Sequence, residues 1–406
     1  MNHINLDEPE LRFPAFSDNW CKKRMKDICV VSQGLQIPIS ERFTENGENR
    51  YFYITNEFLK ENSEKEYYIE NPPKSVICTE KDVLMTRTGN TGKVITNVNG
   101  VFHNNFFKID YDDSIIDKDF LCYFLNNSQT QKIIMRLAGT STIPDLNHSD
   151  FYSIKINYPS LPEQRKISDF LKKIDKKIES LEKIQNNLQE VNSKLINNIM
   201  EQKYKIPKHD NIWNEIKLKD IGDSYTGLSG KTKEDFEKGN SKFIPYLSVF
   251  NDIILNDCNF ENVDIKSSEK QNSVVKGDIF FTGSSETPKE VGMSSVLLED
   301  IENCYLNSFC FGFRLKSFEQ YNPLFLVYYF RSLKFRKELY KLAQGSTRFN
   351  ISKKELLKKE IAVPSKIEQD YFANVINRMF TKNKLINKEL GYMENFKKGL
   401  LQKMFV

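Results

Sequence analysis

Histidine is scarce in this chain and cysteine is scattered. The four histidines (His3, His103, His148, His209) stand far apart, without the nucleophile or ligand partners that catalysis or metal binding requires. The seven cysteines (Cys21, Cys29, Cys78, Cys122, Cys258, Cys304, Cys310) never form a C-x-x-C pair. Their odd number does not suit a disulfide framework either, so they are expected to be buried thiols. No glycine-rich cofactor loop follows a β-like run, and no apolar stretch approaches the roughly 18 residues of a membrane helix. Residues 1–13 lack the basic and apolar segments of a leader, so a cytoplasmic protein with no membrane partner is expected. Charge of one sign is missing too: 59 basic residues face 55 acidic ones, which neither demands nor excludes nucleic acid. These absences leave no catalytic residue, metal site or cofactor to expect in the chain itself.

What is present is folded protein. With 406 residues, 30 Phe and 18 Tyr, the chain is long and apolar enough for two domains, each with its own core. An internal repeat organises it. A shift of 193 places Trp20 on Trp213, Lys26-Asp27-Ile28 on Lys219-Asp220-Ile221, Gly34-Leu35 on Gly227-Leu228 and Tyr53 on Tyr246. Later the shift becomes 205, as if the second copy had gained 12 loop residues; Phe120-Leu121 and Tyr123 then fall on Phe325-Leu326 and Tyr328. Between Leu137 and Gln164, 9 of 28 positions are identical at that shift, which marks a duplication.

Each copy changes texture part-way. Residues 20–159 and 213–364 mix short β-rich runs, such as Tyr51 to Ile54 and Asp278 to Phe281, with Gly, Asn and Ser turns and one helical stretch near Leu121 to Leu137. That is an α+β pattern. After Pro159 and Pro364 apolar residues recur at three- and four-residue spacing: Ile167, Leu171, Ile174, Ile178, Leu181, Leu188, Leu195 and Ile199, then Phe372, Ile376, Met379, Ile386, Leu390, Met393, Leu400 and Met404. Such a narrow seam pairs with another helix. Asn383 interrupts the second seam, and Gly391 lowers its helix propensity. A helix of about 40 residues spans about 60 Å, whereas the linker around Pro207 reaches about 30 Å. The second helix should therefore run back along the first as an antiparallel coiled coil. The expected layout is a pseudo-twofold α+β protein: domain 1 over residues 1–160, a central helix 161–204, a linker 205–212, domain 2 over 213–365 and a C-terminal helix 366–406.

Two similar domains at fixed spacing suit a ligand with two half-sites, and double-stranded DNA is the obvious one. Each copy offers two polar loops with the side chains that reach phosphates and base edges. In the first loop Arg87, Thr88, Asn90 and Lys93 fall near Ser284, Ser285, Thr287 and Lys289 of the second copy; an ordinary hairpin turn would explain its glycines equally well. The second loop carries Ser141 and Thr142, matching Ser346 and Thr347, and then Ile143 stands where the other copy has Arg348, with Asn350 two residues on. A helix C-cap and turn accounts for Gly139 and Gly345 but not for Arg348. Two other motifs fall short. Asn71-Pro72-Pro73-Lys74 lacks the aromatic of an adenine-methyltransferase loop, and Gly227 to Thr232 lacks the first P-loop glycine, with Tyr225 in its place.

Several segments carry a family likeness. Pro9-Glu10-Leu11-Arg12-Phe13-Pro14-Ala15-Phe16 with Trp20 and Lys26-Asp27-Ile28, then Pro159-Ser160-Leu161-Pro162-Glu163-Gln164, and finally Gly399-Leu400-Leu401-Gln402-Lys403-Met404-Phe405 resemble the specificity subunits of type I restriction-modification systems. The resemblance implies two target-recognition domains that read a bipartite, asymmetric DNA sequence. It implies two modification subunits on the helices, bringing S-adenosylmethionine to methylate adenine, and restriction subunits bringing ATP and Mg²⁺. The helix pair would set the spacer. Ile367, Asp370 and Tyr371 replace Pro162, Arg165 and Lys166, so the two helix starts are not equivalent. A stand-alone nuclease and a coiled-coil adaptor without DNA binding remain the competing readings.

Overall fold

The computed structural model describes residues 8–60, 63, 65–255 and 260–406. His3 and Cys258 lie outside them. The chain divides into two compact units, Met1–Glu182 with Lys388–Val406, and Lys183–Asn387, each holding part of both long helices.

In the first unit the elements run β1 (Cys21–Arg24), β2 (Cys29–Gln33), β3 (Arg50–Ile54), β4 (Tyr68–Glu70), β5 (Ile77–Cys78), β6 (Val83–Thr86), β7 (Val94–Thr96), β8 (Gly100–Phe102), β9 (Phe106–Tyr111), α1 (Lys118–Asn126), α2 (Ser128–Ala138), α3 (His148–Ser153) and β10 (Lys155–Tyr158), before α4 (Leu161–Met200) begins. The second unit repeats them as β11 (Asn214–Lys217), α5 (Leu218–Ile221), β12 (Gly222–Thr226), β13 (Phe236–Ile244), α6 (Tyr246–Asn251), β14 (Glu261–Val263), β15 (Ile279–Thr282), β16 (Ser284–Ser285), β17 (Ser294–Val296), β18 (Cys304–Leu306), β19 (Cys310–Leu315), α7 (Pro323–Arg331), α8 (Leu333–Leu342), β20 (Phe349–Asn350), α9 (Lys353–Leu357), β21 (Glu360–Val363) and α10 (Lys366–Met404). The expected α+β architecture, two repeated domains each leading into a long helix, is what the chain forms.

The duplication holds down to strand register. Cys21 pairs with Tyr158 and Asn214 with Val363, each the end of an antiparallel ribbon. The main sheets have the same order, β2-β9-β6-β7 and β12-β19-β15-β17. In the smaller sheets β3 runs parallel to β8 and β13 to β18. That register corrects one match made from sequence. Ile54 pairs with Phe102 as Ile244 pairs with Leu306, so Tyr53 corresponds to Phe243, and Tyr246 instead opens α6. Gly34 and Gly227 are matched for a steric reason: a Cβ there would lie 2.3 Å from the Phe102 carbonyl oxygen and 2.1 Å from that of Asn307, where β8 and β18 pass.

The single helical stretch expected near Leu121 to Leu137 is two helices, because Asn127 leaves the helical conformation and caps α2 by accepting from the Gln129 N–H. They lie in one core with the main sheet, through Val83, Phe107, Phe120, Leu125 and Ile134, and the first half of α4 and the end of α10 close it with Ile167, Leu171, Ile174, Leu400 and Met404. The second unit is built alike, with Ile199 and Met200 from the end of α4 beside Phe372 and Ile376 from the start of α10. In each unit the two helices thus meet in opposite directions. Ile178, Leu181, Leu188, Leu195, Met379, Leu390 and Met393 continue the same seams, buried or half-buried. Gln185 and Asn192 are further polar seam positions; the Gln185 amide donates to Asn387 Oδ1 at 2.7 Å. The first helix ends at Met200, earlier than the expected 204, because Gln202 adopts a φ of +60° and the Lys203 N–H returns to the Asn198 carbonyl.

Each long helix starts on the same device. Gln164 is fully buried; its Nε2 donates to the carbonyls of Ile115 and Pro159, and its Oε1 accepts from the Asp117 N–H. Gln369 does the same with Gln320, Pro364 and Asn322. The adjacent carboxylates take different partners: Glu163 binds Arg12 at 2.7 Å, whereas Glu368 accepts from the Asn211 N–H of the linker. The cysteine expectation needs one correction. Cys29, Cys78, Cys304 and Cys310 are buried and Cys122 half-buried, but Cys21 is exposed, since both faces of β1 are open to solvent.

Candidate nucleic-acid interface

In each domain the two polar loops are brought side by side by one backbone arrangement. Thr88 and Asp145 form an antiparallel bridge, and Ser284 pairs with Asn350 at the matching place. The Leu146 N–H donates to the Arg87 carbonyl at 2.9 Å, and the Ile351 N–H to the Gly283 carbonyl at 3.0 Å. The first loop closes identically at its base: the Thr86 N–H donates to the Lys93 carbonyl and its own carbonyl accepts from Gly92, as Thr282 does with Met293 and Gly292, and each threonine hydroxyl accepts from the Lys93 or Met293 N–H. Closure at Met293 places the end of the second copy's loop four residues beyond Lys289, where the sequence reading had ended it. Gly92 and Gly292, with φ of +86° and +68°, turn the loops over Ile134 and Leu339.

The side chains on this common frame differ. In the N-terminal domain Arg87 is held by Asp145 through two bonds of 3.0 and 2.8 Å, and that partner raises its pKa. Thr91 donates to the Pro144 carbonyl at 2.7 Å, tying the loops again. The Asn56 amide donates to the Thr88 carbonyl. Asn90, with a φ of +62°, and Lys93 are exposed, as are Ser141 and Thr142; the Ser141 hydroxyl turns back to the Ile143 carbonyl. Behind the loop, the Gln131 amide donates to the Gly92 carbonyl at 2.9 Å.

In the C-terminal domain Ser285 is buried, and its hydroxyl and that of Thr287 both donate to Glu290. Lys289, Ser346, Thr347, Arg348 and Asn350 are exposed. Arg336 takes the place of Gln131: 5% exposed, it donates to the Lys289 carbonyl at 2.5 Å, and burial lowers its pKa. Between the loops lies a cleft of about 470 Å³ whose lining includes Tyr246, Ser284, Glu286, Phe309 and Arg348. Sequence reasoning missed Glu286, Glu290, Phe309 and Tyr246, because they reach the cleft from three separate segments. For Phe309 a signal was present, since the turns that lead into β9 and β19 have equal length and put Asn105 and Phe309 at the same place.

The near-motifs resolve into structure. Asn71, with a φ of +48°, makes a turn. Lys231 binds Glu269 at 2.7 Å and is almost fully buried. Among the described residues no cluster of three or more His, Cys, Asp or Glu could hold a metal, and no helix is long and apolar enough to cross a membrane.

Residues 17–190 and 211–393 match the family model of the type I restriction modification DNA specificity domain. The specificity subunit of the type I restriction enzyme MjaVIII of Methanocaldococcus jannaschii is 26% identical over 404 residues, covering 96% of this chain and 92% of that one. The crystal structure of the type I restriction-modification S subunit from M. genitalium matches 98% of this chain and 99% of its own, with a TM-score of 0.61 at 17% identity. A structure described for complex assembly and conformational transition of the type I R-M system matches 95% of this chain and 97% of its own, with a TM-score of 0.55 at 17% identity. With both repeats matched in order over most of its length, the chain belongs to the type I restriction-modification DNA specificity family.

Proposed function

We propose that this chain is the DNA-reading, non-catalytic subunit of a type I restriction-modification complex, with each domain reading one half of a bipartite, asymmetric target. The observation that carries the reading is the shared loop frame, bridged at Thr88–Asp145 and at Ser284–Asn350, with unlike side chains on its tips. Equal frames present the loops alike; unlike tips select different bases. The α4/α10 pair fixes the spacer between half-sites and carries two modification subunits, which bring S-adenosylmethionine and methylate adenine. Restriction subunits bring ATP and Mg²⁺ for translocation and cleavage.

Selection from random duplexes by the chain assembled with its modification subunits tests this. A split motif is expected, and it should vanish from the cell's methylated sites when this chain is deleted. Enrichment of one continuous site would refute the two-reader arrangement. Cleavage of plasmid by the purified chain with Mg²⁺ alone would favour a nuclease, and failure of the whole complex to retain any DNA would favour an adaptor.

A further inference from the structure

The cleft of the C-terminal domain carries two opposite charges that do not neutralise each other. Arg348 and Glu286 both line it and both are exposed. Among the described residues Arg348 makes no ion pair or hydrogen bond; its guanidinium lies 5.9 Å from the Phe309 ring centroid. Glu290 is occupied by the hydroxyls of Ser285 and Thr287, which leaves Glu286 as the open carboxylate. Phe309 and Leu247 are 56% and 66% exposed and give the cleft an apolar rim, while Tyr246 and Phe250 stack in its wall at 6.1 Å. The Tyr246 hydroxyl fixes the loop by donating to the Ser284 carbonyl at 2.7 Å.

This chemistry is particular to one domain. The matching positions in the N-terminal domain hold Asn105 for Phe309, Ile143 for Arg348 and Asn90 for Glu286. The match at Phe309 rests on backbone bonds, since the carbonyls of Asn105 and Phe309 accept from Arg87 and Gly283, the residues that open the two loops.

A fork of cationic donors beside an open acceptor does not suit a phosphate, which the carboxylate would repel. On the major-groove edge a G·C pair shows two adjacent acceptors, guanine O6 and N7, next to one donor, the cytosine N4 amino group. An A·T pair would set the thymine O4 acceptor against the carboxylate. We propose that this cleft reads a G·C base pair, with Arg348 donating to guanine O6 and N7 and Glu286 accepting from cytosine N4. The proposal rests on the DNA-reading function above and specifies its substrate at one position.

The test is random-duplex selection with the assembled complex, comparing the native chain with Arg348→Ala, Arg348→Ile and Glu286→Gln. Arg348→Ile installs the residue of the N-terminal copy, and exposure at 348 keeps folding out of the outcome. Each variant should relax discrimination at the same G·C position of one half-site, on the order of ten- to a hundredfold for Arg348, with the other half-site unchanged. Relaxation at an A·T position, or a retained motif with no relaxed position, overturns the assignment while DNA reading stands. So does an equal loss over all sequences with a shallower salt dependence, the mark of a phosphate contact. A native complex that enriches no motif removes the DNA-reading function itself.

Discussion

His103 and Asn307 support matching turns with different chemistry: His103 Nδ1 accepts from the Asn105 N–H at 3.0 Å, and Asn307 Oδ1 accepts from the Phe309 N–H at 2.9 Å. Each turn leads to the carbonyl on which a candidate loop opens, that of Asn105 or of Phe309. The imidazole can accept only while that nitrogen is unprotonated; the amide accepts at any pH.

A pH dependence confined to the N-terminal domain follows. Burial, with Arg42 adding to it, pushes His103 down to about 4. Above its unfolded value of about 6.5 the ring is neutral in both states. As pH falls from about 6.5 to about 4 the unfolded chain takes up a proton that the folded one refuses, so stability is lost over that window. His103→Asn should keep the turn and remove this loss, on the order of 2 kcal/mol for a half-buried ring. Melts of both proteins between pH 7.5 and 4.5 would measure it; equal slopes would show that His103 titrates normally.

Arg87 and Asp145 should behave as one unit. Because the guanidinium is bound to Asp145 in a bidentate pair, Arg87→Ala and Asp145→Ala are each expected to loosen the contact between the two loops and weaken the whole N-terminal half-site by similar factors. The double variant should be little worse than either. If Arg87→Ala alone abolished a single base preference and Asp145→Ala did not, Arg87 would be a direct base reader that leaves its partner on binding.

The sequence shows this fold best where insertions are forbidden. From α1 to α10 one offset of 205 holds, because Gln164 and Gln369 bracket the same carbonyls and the helical seams tolerate no slip. Upstream, the segments after β2, β3, β6 and β7 change length independently, so the offset drifts and a chance tyrosine at 246 resembled a match. The candidate loops were legible from glycines and polar residues. Their internal commitments were not, since Arg87 and Asp145 are 58 residues apart and neither composition nor spacing links them.

Gln164→Ala should cost about 2–4 kcal/mol, because it strands two carbonyls and one N–H that pack around this fully buried side chain. Gln369→Ala should cost a similar amount in its own domain. Gln164→Glu keeps the shape but loses both donors, so it should be nearly as damaging. Denaturant unfolding would read all three. A loss below about 1 kcal/mol for Gln164→Ala would mean that water takes over the amide's role.

Asn192 points the other way. It is 4% exposed in the α4 seam, at heptad spacing from Leu188 and Leu195, and neither its Nδ2 nor its Oδ1 has a hydrogen-bond partner. Burying an unsatisfied amide is unfavourable by about 1–3 kcal/mol, and leucine has nearly the same length with no polar atom to satisfy. Asn192→Leu should therefore raise the melting temperature by several degrees while leaving the target sequence unchanged, since the residue lies in the helix and not in a candidate loop. A polar residue retained in a coiled-coil seam commonly fixes register. If Asn192→Leu stabilised the chain but broadened the permitted spacer between half-sites, the amide would be holding the helices in register at the expense of stability. An unchanged or lower melting temperature would instead mean that the amide is satisfied in solution.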